Sequence, residues 1–424
     1  MQIASTFKKT VLPNGLTVIT ETVPGARSVA IGIWVNVGSR DETPETSGVS
    51  HFIEHMIFKG TERRSAFDIA KTFDRLGGFS NAFTSRETTC FHARVLDLHL
   101  ETVTDLLADI LLNSRFDEAE VQREKQVILQ EISMVEDTPD DYVHELFNGH
   151  IWGDNPLGRS ILGSRQRVEG ITSSFLKEFV NRSYVAPRIV VAAAGSVEHQ
   201  EFVQRMAALF ESLPSSEGSL ALREPPQMVP GTLFNTRDCE QVHMLMGYSG
   251  VSASDESRYA ATMLNVILGG SMSSRLFQEI REKRGLAYSV YSYFTSYQDA
   301  GVMGMYAGVA PDTCYEVAAL MQAEFQRIAR EPVSRAELEA ACDQVKGAIL
   351  LASEGMDSRM SRIAKNELFL GKQVDYQEIE ERFNAVTRDD IMQVAAGSLE
   401  TRPALVMLGP IDDAQAERCE TLVT

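Results

Sequence analysis

Two histidines and a glutamate lie together in a hydrophobic stretch of the chain, and this feature restricts its local fold more than any other. Residues 49–58 read VSHFIEHMIF, so His51, Glu54 and His55 stand among large apolar side chains. At about 100° per residue, these three side chains fall within roughly a 100° arc of one helix. A helix here therefore presents two imidazoles and one carboxylate on the same face.

Such a helix can hold a metal ion. Histidines four residues apart can both reach one Zn²⁺ at about 2.0–2.1 Å, which leaves the carboxylate beside the ion. The order His-x-x-Glu-His reverses the commoner His-Glu-x-x-His zinc helix. We therefore predict that His51 and His55 are metal ligands and that Glu54 acts as a general base. The alternative is a pair of core histidines hydrogen-bonded to a glutamate, and a third ligand is needed to decide.

A second helical stretch, Glu118 to Val135, offers that third ligand. Its apolar stripe follows the spacing of one helix face and contains two acids. The stripe consists of Val121, Glu124, Ile128, Glu131 and Val135, flanked by Val127 and Met134. A carboxylate on a core-facing stripe costs several kcal/mol unless a cation compensates it. Zinc is such a cation, although pairing of both acids with Arg123 or Lys125 at a partly exposed surface is the simpler alternative.

Three blocks of the sequence resemble a known family. The blocks SGVSHFIEHMIFKGT, LGGFSNAFTSRETT and VILQEISMVED are similar to the pitrilysin-like inverted-zincin metallopeptidases, specifically the branch of the mitochondrial processing peptidase β subunit and its bacterial relatives. The resemblance runs over almost the whole chain. It implies one zinc ion per chain, bound by His51, His55 and Glu131. It also implies that Glu54 activates the water that attacks the substrate and that Glu124 supports the site without binding the metal directly.

The same resemblance implies where a peptide would bind. Asn81 and Ala82 match the edge strand that holds the substrate backbone in this family, as expected for β-strand addition. Arg281 and Tyr288 match positions that reach toward the substrate from the second half of the chain. Without the family, Arg281 is more simply a surface partner of Glu279 or Glu282, and Tyr288 a half-buried strand residue.

Length and charge limit the other functions open to the chain. Its 424 residues allow two or three domains, and the 59 acids against 40 bases give a net charge of −19. This balance disfavours a nucleic-acid partner and favours basic peptides, although an excess of acids also serves ordinary solubility. No apolar run approaches the roughly 20 residues of a membrane span. The N-terminus resembles neither a signal peptide nor a transit peptide, so we expect a bacterial cytoplasmic protein, with the mitochondrial matrix as the alternative.

The chain reads as a duplicated unit. FDEAEVQREKQVILQEI resembles VSRAELEAACDQVKGAI, 217 residues later, and the proline-rich stretch 213–231 between the halves is typical of a linker. The second copy lacks the metal residues. Its aligned positions are Ala260, Met263 and Leu264 in place of the first motif, and Ala341 and Ala348 in place of the two acids. Polar groups present in one copy only are retained for chemistry rather than for folding.

Strands and helices alternate irregularly in each half, which predicts an α+β fold with two tandem homologous domains, each a largely antiparallel sheet packed with helices. Strands are expected at 16–20, 29–37, 189–196 and 404–410, and helices at 66–76 and 98–112. We predict a zinc-binding catalytic domain at 1–212, a linker at 213–231, and a homologous domain without zinc at 232–424 that contributes substrate contacts.

Taken together, these observations predict a zinc-dependent endopeptidase that cleaves peptides or presequence-like segments. The alternative is a non-catalytic scaffold or partner subunit of a processing-peptidase-like complex. Because family members often enclose substrate between four such domains, we expect a second chain, either an identical copy or a homologue without the zinc motif. The sequence does not identify the physiological substrate or the cleavage preference.

Overall fold

The structure is a computed structural model that describes residues 5–216 and 222–423. In these ranges the strands are β1 (Thr6–Val11), β2 (Thr17–Thr22), β3 (Ser28–Val35), β4 (Phe79–Thr84), β5 (Thr89–Leu96), β6 (Ile189–Gly195), β7 (Gly231–Thr236), β8 (Val242–Gly250), β9 (Ala287–Ser296), β10 (Gly301–Val309) and β11 (Ala404–Gly409). The helices of the first half of the chain are α1 (Val49–Ile57), α2 (Ala66–Leu76), α3 (Leu100–Asn113), α4 (Glu118–Asp137), α5 (Pro139–Trp152), α6 (Arg165–Gly170), α7 (Ser173–Ser183) and α8 (His199–Leu209). The helices of the second half are α9 (Arg258–Leu268), α10 (Cys314–Arg330), α11 (Arg335–Ser353), α12 (Met356–Lys365), α13 (Tyr376–Ala385), α14 (Arg388–Ser398) and α15 (Asp413–Glu420).

The described residues pack into two units that are not contiguous in sequence. Unit 1 contains the described residues of Met1–Ser133, Arg159–Arg223 and Leu350–Val374. Unit 2 contains those of Met134–Gly158, Glu224–Ile349 and Asp375–Thr424. The domains predicted from the sequence are contiguous, whereas here α12 belongs to unit 1 and α5 to unit 2. Part of the predicted linker, 217–221, lies outside the described residues.

Unit 1 is built on a six-stranded sheet with the order β1-β2-β6-β3-β5-β4. Neighbouring strands are antiparallel except for β2 and β6, which are parallel. The central strands β3 and β6 are rich in Val, Ile and Ala and are almost fully buried, because helices cover both faces of the sheet. Strand β4 pairs only with β5, from Phe79 opposite Arg94 to Thr84 opposite Thr89, so β4 is an edge strand.

Unit 2 repeats this arrangement in a five-stranded sheet with the order β7-β11-β8-β10-β9. Strands β7 and β11 are parallel and the other neighbours are antiparallel. The order matches β2-β6-β3-β5-β4 of unit 1 strand for strand, including the single parallel pair. The predicted α+β fold with two similar, largely antiparallel sheets is therefore confirmed.

The two faces of the sheet in unit 1 carry separate apolar layers. One face packs against α1, α3, α7 and α8 through side chains such as Phe52, Leu107 and Phe179, all of which are buried. The opposite face is covered by α12, whose Met360 accepts a hydrogen bond on Sδ from Trp34 Nε1 at 3.2 Å. The metal-binding candidates on α1 therefore lie on the first of these faces.

Charged residues reinforce the packing of α12. Glu21 on β2 is 2% exposed and accepts hydrogen bonds from Arg359 at 2.6 Å and from Arg362 at 2.8 Å. Two guanidinium groups thus neutralise one buried carboxylate. Since both arginines come from α12, these ion pairs hold the helix against the sheet of unit 1.

Helix α5 has the equivalent role in unit 2. Its buried Phe147 packs between Leu245 of β8 and Val406 of β11. The ring lies so close to the sheet that a Cβ atom on Gly247 would be 2.3 Å from it, and this requires glycine at that position. Because α5 follows α4 and α12 follows α11, the two helices occupy corresponding places in the duplicated chain.

Most elements expected from the sequence are present, and one detail of α4 is corrected. The buried residues of α4 are Val121, Glu124, Lys125, Ile128 and Ile132. Val127 and Met134, which were expected to flank the apolar stripe, are 40% and 64% exposed. The buried face is therefore narrower than predicted. Within the described ranges, no helix is both long and apolar enough to cross a membrane.

Candidate metal centre

Helix α1 divides cleanly into a buried face and a polar face. Val49, Phe52, Ile53, Met56 and Ile57 are buried in the core of unit 1. The positions between them, His51, Glu54 and His55, are only partly buried. Burial of the apolar residues at helical spacing fixes the rotation of α1, and the three polar side chains consequently share its other face.

Helix α4 brings two carboxylates to this face. Glu124 and Glu131 are seven residues apart, nearly two full turns, and so point in similar directions. Glu124 is 5% exposed, whereas the side chain of Glu131 is 32% exposed. The prediction that both acids lie on one face of this helix is consistent with the structure, but they differ in burial.

Three donor groups converge between α1 and α4. Oε2 of Glu131 lies 3.7 Å from Nε2 of His51 and 3.5 Å from Nε2 of His55. One ligand atom from each residue lies within 4.8 Å of the other two, and among the described residues this is the group of three with metal-ligand geometry. Tetrahedral zinc with bonds of about 2.0–2.1 Å separates its ligand atoms by roughly 3.3–3.5 Å. The spacing in this cluster therefore fits a zinc ion.

His51 is in the protonation state that a metal ligand requires. Burial, and to a smaller extent the neighbouring His55, lowers the pKa of His51 to about 3. The imidazole is therefore neutral over the ordinary pH range and keeps a lone pair on one ring nitrogen. Its Nδ1 is buried and has no hydrogen-bond partner within the described residues. The nitrogen that faces Glu131 is the other one, Nε2.

His55 is oriented by a carboxylate on its other nitrogen. Nδ1 of His55 lies 3.0 Å from Oε2 of Glu124, and an ionised carboxylate can only accept, so Nδ1 carries the proton. This leaves the lone pair on Nε2, the atom that faces Glu131. The second oxygen of Glu124 pairs with Nζ of Lys59 at 2.5 Å. Glu124 thus holds the His55 ring from behind, an arrangement typical of carboxylates next to metal-binding histidines.

Glu54 lies beside these donors and has a different environment. Burial raises the pKa of Glu54, while the hydrogen bond from Thr84 and the charge of His55 oppose this rise and Glu131 adds to it. The Thr84 hydroxyl donates to Oε2 of Glu54 at 2.6 Å. A carboxylate with a raised pKa that is held in place by a hydroxyl is suited to accept and return a proton.

The edge strand β4 runs past the same face of α1. Its side chains alternate, so Ala82 and Thr84 point toward the core side, while Asn81 is exposed. The backbone N–H of Ala82 donates to Oδ1 of its neighbour Asn81 at 2.9 Å. The structure thus places Asn81 and Ala82 on an edge strand, and Thr84 of that strand touches Glu54.

Arg281 and Tyr288 lie together in unit 2. The Arg281 guanidinium stacks over the rings of Tyr288 and Phe277, 4.7 Å from each ring centre. Tyr288 is 80% exposed, and Arg281 is 3.8 Å from Glu282. Tyr288 is therefore more exposed than the half-buried strand residue that was considered as an alternative.

The positions of the second copy that correspond to the α1 motif have become part of the core. Ala260, Met263 and Leu264 lie on α9 and are at most 4% exposed. Buried apolar residues thus stand where α1 has its partly buried polar face, which agrees with the loss of metal-binding residues inferred from the duplication.

Three contributors to the site were missed by the sequence reading. Lys59 lies beyond the end of α1 at Ile57, so helical spacing does not place it beside Glu124. Thr84 follows Ala82 by two residues, so strand alternation places it on the same face. Glu42, which accepts hydrogen bonds from the first turn of α1, carries no local signal because it lies outside the helix.

Comparison with known proteins agrees with the motifs. Residues 17–165 match the family described as insulinase (peptidase family M16), and residues 170–345 match the peptidase M16 inactive domain. A zinc protease of Streptomyces coelicolor is 42% identical over 99% of this chain and 93% of its own length. A zinc protease of Bacillus subtilis is 40% identical over 95% of this chain and 98% of its own length.

Solved structures have the same fold. A protease from Helicobacter pylori superimposes with a TM-score of 0.89 at 23% identity, covering 96% of this chain and 100% of that one. A protein from Pseudomonas fluorescens described as a peptidase M16 inactive domain gives the same TM-score at 20% identity and covers 96% and 98% of the two chains. The narrower resemblance to the processing peptidase β branch stays a prediction. The sequence similarity over nearly the full length shows that this chain belongs to the M16 (insulinase) family of peptidases.

Proposed function

We propose that this chain is a zinc-dependent endopeptidase whose metal is held by His51, His55 and Glu131. The observation that carries the proposal is the convergence of two imidazole nitrogens on one oxygen of Glu131, at 3.5 and 3.7 Å. Relatives named zinc proteases support the same metal and the same class of reaction. The described residues contain one such cluster, which supports the prediction of one zinc ion per chain.

The donor set suits zinc on chemical grounds. Two neutral imidazoles and one carboxylate leave a net positive charge on a divalent ion and a fourth position for water or substrate. When bound there, zinc supplies Lewis acidity, which makes a water molecule more acidic and polarises a peptide carbonyl. Glu124 and Lys59 hold the His55 ring with its lone pair on Nε2.

Glu54 is the group that moves protons in this proposal. Its carboxylate takes a proton from the attacking water and returns it to the departing amine nitrogen. A pKa raised by burial makes the carboxylate a stronger base for the first transfer and lets it hold the proton until the second. The Thr84 hydroxyl fixes the orientation of the carboxylate while it changes charge.

The edge strand β4 is the proposed binding place for the substrate backbone. An extended peptide can add to a free strand edge, where backbone groups supply affinity and side-chain pockets supply specificity. The Ala82 N–H now donates to the Asn81 side chain, a contact that an incoming carbonyl oxygen can replace. Thr84 is the last residue of β4 and its hydroxyl contacts Glu54 on α1. A peptide bound along this edge therefore passes close to the proposed general base.

Further features of the proposal rest on the family resemblance alone. Arg281 and Tyr288 are assigned to substrate positioning, since a guanidinium and a phenol can both bind a peptide carbonyl. The net charge of −19 favours a basic peptide as substrate. Two further predictions are a second chain, identical or lacking the zinc motif, and a location in the bacterial cytoplasm. Light scattering of the purified protein tests whether an identical second chain is bound.

The second candidate function is that of a non-catalytic partner subunit. Residues 170–345 match a domain described as inactive, and this observation is compatible with such a role. The intact cluster of His51, His55 and Glu131 argues against it, because a scaffold has no need for two imidazoles and a carboxylate that meet at metal-ligand spacing.

Cleavage of internally quenched peptides by the purified full-length chain separates the two functions. We expect cleavage of a basic peptide that stops with 1,10-phenanthroline and returns when zinc is added back. A matched acidic peptide controls for charge preference, and mass spectrometry of the products shows whether internal bonds are cut. Absence of cleavage by protein with one bound zinc per chain would favour the partner-subunit function.

A further inference from the structure

The two histidines of the candidate metal centre are held in different ways. The His55 ring is fixed through its Nδ1 by Glu124. The His51 ring has no equivalent support, since its Nδ1 is buried without a hydrogen-bond partner in the described part of the chain. Its ring contact is with His55, at a centroid distance of 4.6 Å. The position of His51 therefore depends on the backbone of the first turn of α1.

That first turn has no local side-chain cap. The residue before the helix is Gly48, with φ of +90°, and glycine has no side chain to accept a hydrogen bond from the helix N–H groups. A side chain is excluded at this position because an added Cβ atom would lie 2.8 Å from the carbonyl oxygen of Leu162. The free N–H groups at the start of α1 consequently need an acceptor from elsewhere.

Glu42 supplies this acceptor from outside the helix. Its Oε2 accepts a hydrogen bond from Gly48 N at 2.7 Å, and its Oε1 accepts one from Ser50 N at 2.8 Å. The residue is 3% exposed. Arg159 donates a hydrogen bond to its main-chain oxygen, so the backbone of Glu42 is also anchored. One carboxylate thus bridges the two residues on either side of Val49, immediately before His51.

We propose that Glu42 is a positioning residue for His51 and that the bridge from its two carboxylate oxygens sets the affinity of the site for zinc. This inference rests on the proposed zinc site and adds a residue that acts on it through the backbone. The bridge holds the first turn of α1 in register, and His51 is the ligand attached to that turn. Loss of the bridge should affect His55 less, because this residue lies one turn later and is held by Glu124.

The chemistry of the bridge offers a sharp test. A glutamine at this position keeps one acceptor oxygen and replaces the other with an NH₂ group, which cannot accept an N–H. Burial raises the pKa of Glu42 to about 8, whereas the hydrogen bonds from Ser50 and Gly48 lower it by favouring the carboxylate. Measurements at about pH 9.5, well above this pKa, therefore compare glutamine with the carboxylate rather than with the neutral acid.

The experiment compares full-length wild type, Glu42→Gln and Glu21→Gln. Glu21 is a matched control, because it is a carboxylate of similar burial in the same unit and is bonded to α12 on the opposite face of the sheet. For each protein, zinc affinity is measured by competition with a chelator, and melting temperature is measured without metal. The visible spectrum of the Co²⁺-loaded protein reports ligand geometry independently of activity.

We expect Glu42→Gln to weaken zinc binding by about tenfold, equivalent to about 1.4 kcal/mol, the size of one lost hydrogen bond. Its Co²⁺ spectrum should change as well. Glu21→Gln should lower the melting temperature and leave both zinc affinity and spectrum unchanged. A lower melting temperature for Glu42→Gln with wild-type zinc affinity would overturn the inference, because it would show a purely structural role. Failure of the wild type to bind zinc would instead overturn the proposed function.

Discussion

Oε2 of Glu124 lies 3.0 Å from Nδ1 of His55, and this contact determines which nitrogen of the ring is available to a metal. With the proton on Nδ1, a neutral ring has its lone pair on Nε2, 3.5 Å from Oε2 of Glu131. Lys59 neutralises the far oxygen of Glu124 at 2.5 Å. A buried acid thus orients one of the proposed ligands, and its own charge is balanced by Lys59.

Replacement of this acid tests its supporting role. Glu124→Gln should lower zinc affinity by about 10–100-fold, because the amide cannot keep both the pairing with Lys59 and the fixed His55 tautomer. Chelator competition measures the change. Glu118→Gln on the exposed side of the same helix is the control and should behave as wild type. Equal zinc affinity in both variants would show that Glu124 does not support the site.

Replacement of the proposed base should separate metal binding from catalysis. Glu54→Gln keeps the shape of the side chain and removes its ability to carry a proton, so peptide cleavage should fall by about 10²–10⁴-fold. Zinc content should stay at the wild-type level, because Glu54 is not among the donor atoms of the cluster. Turnover close to wild type in zinc-loaded Glu54→Gln would remove this residue from the role of base.

The packing of α12 on unit 1 predicts a stability effect. Arg359→Met leaves Glu21 with Arg362 as its remaining guanidinium partner, and loss of one partner of a buried ion pair costs about 3 kcal/mol. Urea unfolding followed by Trp34 fluorescence in a Trp152→Phe background reports on this unit, since Trp34 contacts α12. The double variant Glu21→Gln with Arg359→Met should be less destabilised than the sum of the single variants. If the losses in free energy of unfolding of the two single variants simply add up in the double variant, Glu21 and Arg359 are not coupled.

An ion pair in unit 2 predicts a pH effect. Burial alone raises the pKa of Glu337, but hydrogen bonds from Arg275, at 2.7 Å, and from Ser334 outweigh it and bring the pKa down to about 2. Because the folded pKa lies below the unfolded value of 4.5, the stabilisation is complete above pH 4.5 and is lost as the pH falls toward 2.

The comparison of wild type with Glu337→Gln isolates this effect. The variant should be less stable by about 1 kcal/mol at neutral pH, a modest value because the side chain is partly open to solvent. The difference should shrink toward zero in acid. Urea unfolding at several pH values, followed by Trp152 fluorescence in a Trp34→Phe background, measures it. A difference that is constant with pH would contradict the ion-pair explanation.

Local patterns in the sequence predicted the elements of the site well. The spacing of His51, Glu54 and His55 placed them on one face of a helix, and the structure has that helix at Val49–Ile57. The acids at 124 and 131 were found because carboxylates interrupt an apolar stripe. Periodicity could not show that α1 and α4 face each other; the family resemblance supplied that link. Val127 and Met134 were misplaced because hydrophobic residues next to a buried face need not be buried themselves.

Contacts between residues far apart in the sequence could not be predicted from the sequence. The apolar face of α12 shows that the helix is buried but not against which sheet, so its place in unit 1 could not be inferred. The same holds for α5 in unit 2. The bridge from Glu42 to Gly48 and Ser50 joins a loop to a helix start without any periodic signal. Such contacts are set by the fold as a whole, whereas Thr84 could have been found from the alternation of side chains along β4.

The most direct test of the zinc site is X-ray diffraction from zinc-loaded crystals, recorded on both sides of the zinc absorption edge. We predict one anomalous peak per chain, at about 2.0–2.2 Å from Nε2 of His51, Nε2 of His55 and a carboxylate oxygen of Glu131. The absence of a peak at this position in fully zinc-loaded crystals, or a peak bound by other residues, would contradict the account.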